Sequence, residues 1–100
     1  MTATLDQLAA ADFETLPDRQ LVLVNGEQRI VLDVVETRAL PARIARSTPP
    51  FAVTLRHTGA RASLLQGMFR YEHPVHGALD LFTVPVGPDG QGMCYEIIFN

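Results

Sequence analysis

The sequence predicts a mainly β domain: an antiparallel roll or small partly open barrel of about six strands, with a short N-terminal helix. Three observations predict it. Six runs of strand length are rich in alternating apolar residues. All but one of their connections are short, which suits antiparallel neighbours. Only residues 4–16 carry a helical period. The 47% apolar and 19% charged composition is that of a chain that folds, and 100 residues make one domain, 1–100.

In the N-terminal helix, 4–16, Leu5, Leu8, Ala9 and Leu16 approximate one face, and Phe13 fits it less closely. Thr4 suits the N-cap, Asp6 sits in the first turn where the helix dipole favours an acid, and Pro17 follows the stop. So short a helix must dock on the sheet to persist.

Residues 20–37 read as a β-hairpin. Gln20–Val24 and Arg29–Thr37 flank Asn25-Gly26, a pair suited to a type I′ turn. Ile30, Leu32 and Val34 share one face of the second strand; Val31, Asp33 and Val35 share the other. Residues 38–50 form an arginine- and proline-rich loop, with room for one short turn around Ala42–Arg46.

Residues 51–100 hold the remaining antiparallel strands: Phe51–His57, Gly67–His73, Leu79–Val86 and Met93–Phe99. Pairing the fourth and fifth so that Tyr71 opposes Leu81 and Phe69 opposes Thr83 gathers one apolar face. The opposite face then carries Met68, Phe82 and Val84, and with Ile98 these four form a candidate partner surface. Pro85 lacks a backbone donor, so the fifth strand is expected to break or lie at an edge there. The final strand is expected to leave a free edge able to accept a partner strand.

Charge is unevenly spread. Residues 1–36 hold seven acids and two arginines, 37–71 hold six arginines and no acid, and 72–100 hold four acids and no arginine. Arg38, Arg43, Arg46, Arg56 and Arg61 are therefore a candidate patch for an anion or an acidic partner. The acidic flanks could equally pair with this segment inside the fold. A pI of about 5.4 and the lack of interleaved aromatics argue against nucleic acid. No apolar run approaches the ~18 residues of a membrane span, and the acidic N-terminal stretch is unlike a signal peptide, so a cytoplasmic protein is expected. One cysteine, Cys94, excludes an intramolecular disulfide.

No catalytic, metal or cofactor site emerges. His73-x-x-His76 surrounds Pro74 in a turn, but zinc needs three or four ligands and only Cys94 and Glu72 are candidates to complete a set. Cys94 has no neighbouring base, and Ser47 and Ser63 lie in loops without a nucleophile elbow. Glu72 and Asp80 could approach each other across two strands, where a surface charge cluster is the plainer reading. Gly87-Pro88-Asp89-Gly90-Gln91-Gly92 lacks the helix, the G-K-[ST] and any nearby basic residue of a phosphate loop, and reads as a hairpin connector.

The runs Leu65-Gln66-Gly67, Arg70-x-Glu72-His73-Pro74, Leu81-Phe82-x-Val84-Pro85-Val86-Gly87-Pro88-Asp89 and Gly92-Met93-x-Tyr95-Glu96-x-x-Phe99-Asn100 resemble a small bacterial family known only as a domain of unknown function. Ala11-Asp12-Phe13 and Pro50-Phe51-x-Val53 extend the likeness over most of the chain. The resemblance implies a small β-rich protein with no activity to carry over. It also implies company with phage-tail-collar-like proteins, hence an accessory or assembly role. The expected function is a non-enzymatic protein-interaction module in a phage-tail-like or surface assembly, binding a protein partner or a second copy of itself. The alternative is a small-molecule or anion-binding barrel that uses the arginine-rich segment.

Overall fold

The computed structural model describes residues 7–41 and 48–100. Strands β1 (Gln20–Asn25), β2 (Gln28–Ala39), β3 (Phe51–Thr58), β4 (Gly67–His73), β5 (Gly77–Pro88) and β6 (Gly92–Phe99) close into an antiparallel barrel in the order β1-β2-β3-β6-β5-β4. Strand alternation explains the closure. Leu21 and Leu23, Leu32 and Val34, Val53 and Leu55, and their counterparts on β4–β6 point into one shared core. The β3–β6 ladder runs from Phe51↔Phe99 to Thr58↔Gly92. The β1–β4 ladder has three registered pairs, Val22↔Glu72, Leu23↔Tyr71 and Val24↔Arg70. Within the core the Tyr71 hydroxyl and Thr83 Oγ1 satisfy each other at 2.8 Å, and burial pushes the Tyr71 phenol up to about 12.

The N-terminal helix is far shorter than expected. Among the described residues, α-helix covers only α1, Ala11–Glu14; Thr4, Leu5 and Asp6 lie outside them. The segment is held by docking and not by helical propensity. Leu8, Phe13 and Leu16 are buried, and Phe13, the residue that fitted the helical face least well, stands against Phe51 and Phe99 with centroids 5.9 and 5.3 Å away. Phe51 and Phe99 stack at 4.5 Å, so α1 closes this end of the barrel. Asp18 and Arg19, in the 3₁₀ turn that follows, both adopt positive φ (55° and 53°) on the way into β1.

Four further expectations are corrected. The β1–β2 turn is centred on Gly26-Glu27, and only Gly26 has positive φ (64°), so it is not type I′. The β4–β5 register differs by two residues: Tyr71 opposes Leu79 and Phe69 opposes Leu81. A shift of two preserves the buried face, so apolar alternation could not distinguish the registers. The tighter turn prevails because His73 Nδ1 accepts the amides of Val75 (3.1 Å) and His76 (3.2 Å), and Gly77 takes φ 75°. Pro85 neither breaks β5 nor lies at an edge; it opposes Tyr95 beside a bulge between Pro85 and Gly87, where the ladder tolerates a missing donor. Finally, β6 pairs with both β3 and β5, so the expected free edge does not exist. The short turn expected around Ala42–Arg46 falls outside the described residues.

Candidate functional site

The outer face of β4, β5 and β6 carries the expected apolar patch. Met68 and Phe82 are direct cross-strand partners, 60% and 50% exposed. Ile98, 50% exposed, lies two residues beyond Glu96, the partner of Val84, and Phe82 lies two residues before Val84. The row Met68, Phe82, Ile98 thus crosses three adjacent strands, with Val84 half-buried next to it. Leu65, just before β4, is 86% exposed. Inward positions on these strands, such as Leu81, Thr83 and Ile97, are buried, so the apolar outward residues are additional to the core.

Ion pairs border this row. Arg70 binds Asp80 through Nε–Oδ1 (3.0 Å) and Nη2–Oδ2 (3.1 Å), and Arg38 reaches Glu96 at 3.2 Å. Each pair is neutral as a unit and lies in water, where it adds little stability.

The arginine-rich segment does not form one patch among the described residues. Arg38 stands opposite Ala52, at the far end of the β2–β3 ladder from Arg56, which stands opposite Asp33. Arg56 grips Asp89 through Nε (2.7 Å) and Nη2 (2.6 Å). Arg61 lies exposed in the β3–β4 loop, while Arg43 and Arg46 fall outside the described residues. Glu72 and Asp80 are each engaged by an arginine: Glu72 binds Arg29 at 2.5 Å and Asp80 binds Arg70.

The histidines serve the fold in a way their sequence spacing did not reveal. His73 Nε2 lies 2.7 Å from the Asp12 carbonyl, so it donates, and Nδ1 accepts two amides; the ring is the neutral Nε2–H tautomer. His76 Nε2 donates to Asp12 Oδ1 at 2.9 Å, while Asp12 Oδ2 accepts the Ala9 amide at 2.8 Å. The Asp12 partner was missed because it lies more than sixty residues away in the chain. No group of three metal-binding side chains gathers among the described residues. Cys94 is buried on β6, and burial pushes its thiol up, the reverse of what a nucleophile needs.

Two surface hollows are lined by described residues. One, of about 410 Å³, runs along β1 beside Pro17, Asp18, Val22, Val31 and Pro74. The other, of about 310 Å³, lies between the β3–β4 and β5–β6 loops. No described helix is long and apolar enough to cross a membrane.

Fold and surface together define a small closed β-barrel that carries an exposed apolar row on one side. The family model of the domain of unknown function DUF6916 matches residues 8–99, and the chain belongs to that family. No curated protein and no solved structure matches it.

Proposed function

We propose that this chain is a non-enzymatic protein-interaction module that docks through the outer face of β4–β5–β6. One observation carries the reading: Met68, Phe82 and Ile98 form an exposed apolar row that no described element covers. Closure of the barrel restricts how a partner binds. Without a strand edge it cannot add a strand, so it must read side chains. The bordering pairs Arg70–Asp80 and Arg38–Glu96 leave no net charge to complement. The occupant is therefore an uncharged, apolar protein surface, bound with little dependence on salt. Accessory service in a phage-tail-like or surface assembly is the setting we propose, on the strength of the family resemblance. The non-enzymatic part rests on the occupied state of the reactive groups: both His73 ring nitrogens are bonded to backbone, and Glu72, Asp80 and Asp89 are each held by an arginine.

The test is a photo-reactive residue at position 82, with one at Glu27 as control, cross-linked in host cells. The species trapped from position 82 alone is then purified and its affinity measured. Phe82→Ser combined with Ile98→Ser should weaken binding by about tenfold or more, the loss expected for two buried apolar anchors, while raising salt changes it little. An unaltered affinity in the double variant, or no species specific to position 82, defeats the proposal.

A further inference from the structure

We propose that the cleft between the β3–β4 and β5–β6 loops binds the phosphate group of a small phosphorylated molecule. The site lies at the barrel end opposite α1 and is separate from the apolar row. Its walls are Gly59–Arg61 on one side and Pro88 with Gly90–Gly92 on the other. In the sequence the glycine-rich loop has no basic residue near it. The fold supplies one, because β3 and β6 are paired along their full length and bring Arg61 to a loop about thirty residues away.

Four features make the cleft suited to an oxyanion. First, Arg29, Arg38, Arg56 and Arg70 each hold a carboxylate, whereas Arg61 has no carboxylate partner among the described residues. A guanidinium is well matched to phosphate in charge and fork geometry. Second, the amides of Gly90 and Arg61 donate to no described protein acceptor, and positive φ at Gly59 (84°) and Gly90 (88°) gives the loops the glycine-dependent backbone from which anion-binding concavities are built. Third, two backbone oxygens of the walls are engaged: Gln91 O accepts from Gly59 N at 2.8 Å and Gly92 O from Asp89 N at 3.2 Å. Fourth, the acids nearby are occupied: Asp89 by the Arg56 guanidinium and the amides of Gln91 (2.9 Å) and Gly92 (3.2 Å), and Asp33 by the Thr58 hydroxyl (2.6 Å) and the Gln20 side-chain amide (3.2 Å). A volume of about 310 Å³ is at the small end for ligand pockets, which suits a phosphate with a compact body attached and not an extended chain.

The test is an amide NMR titration of the full chain with inorganic phosphate and, separately, with adenosine 5′-monophosphate, at constant ionic strength. Saturable shifts centred on residues 59–61 and 89–92 are expected with both, and the nucleotide should bind at least as tightly as phosphate. Arg61→Gln, on an exposed loop, should weaken both by about tenfold or more, the loss of a charged hydrogen-bond donor. Arg70→Gln, the same charge change on another face, should leave both within about twofold. The proposal is overturned if neither probe gives saturable shifts, if phosphate binds but the nucleotide does not, or if Arg61→Gln has no more effect than Arg70→Gln.

Discussion

The Asp12 carboxylate meets the His76 imidazole at 2.9 Å and so joins α1 to the β4–β5 turn. The Asp12 carbonyl meets His73 at 2.7 Å, so one residue of the N-terminal segment fastens both histidines of the turn. The contact sits beside the Phe13–Phe51–Phe99 cluster and fixes how the segment closes the barrel end.

Burial alone would raise the Asp12 pKa, but the His76 hydrogen bond, the Ala9 amide and the charge of His76 outweigh it, and the carboxyl lies below its ordinary 3.8. The folded value is lower than the unfolded one. Its stabilisation is therefore fully present above the ordinary carboxylate range and is lost as pH falls through the folded value. Asp12→Ala should destabilise the protein at pH 7 by about 1 kcal/mol, the usual worth of such a hydrogen bond. It should also flatten the fall in stability below about pH 4. Urea denaturation from pH 7 to pH 2.5 measures both; an acid limb as steep as that of the parent contradicts this account.

Asp89 is held at about 2, first by the Arg56 side chain and then by the Gln91 amide, with burial opposing. The sign is the same: its contribution is complete above the ordinary 3.8 and disappears as pH falls toward 2. Arg56→Gln should return the Asp89 carboxyl toward the ordinary range, read directly by carbon-detected NMR titration. A value that stays near 2 would assign the shift to the turn amides alone.

Gly92 is required for space and not for conformation. A Cβ there would lie 2.2 Å from the His57 carbonyl oxygen and 2.8 Å from the Thr58 Cα, both backbone atoms that cannot swing aside. Gly92→Ala should cost about 1–3 kcal/mol through forced separation of β3 and β6. Thermal denaturation against the parent protein checks it, and an unchanged midpoint would mean that the strands part easily.

The strands are legible because each has an alternating apolar face and bounding turn residues; the sequence bounds Gly67–His73 as the structure does. The outer row was legible for the same reason, since Met68, Phe82 and Ile98 break an otherwise polar alternation. What periodicity cannot carry was lost. A two-residue register shift leaves every face unchanged, so the β4–β5 pairing depended on the His73 ring capping its own turn. The helix was over-extended because Leu8 and Leu16 are at helical spacing yet are buried by docking on the barrel end. The Arg61 cleft and the Asp12 contact join distant segments, and only strand order brings them together.

Closure also decides how the molecule comes apart. In an open sheet the outermost strand can peel by surrendering one ladder; in a tube every strand must release two neighbours together. The β1–β4 join is the narrowest, three pairs long, and β1 is entered through two left-handed residues, Asp18 and Arg19. Breathing motions should begin along that line, splitting the tube lengthwise while the long β3–β6 ladder acts as its spine.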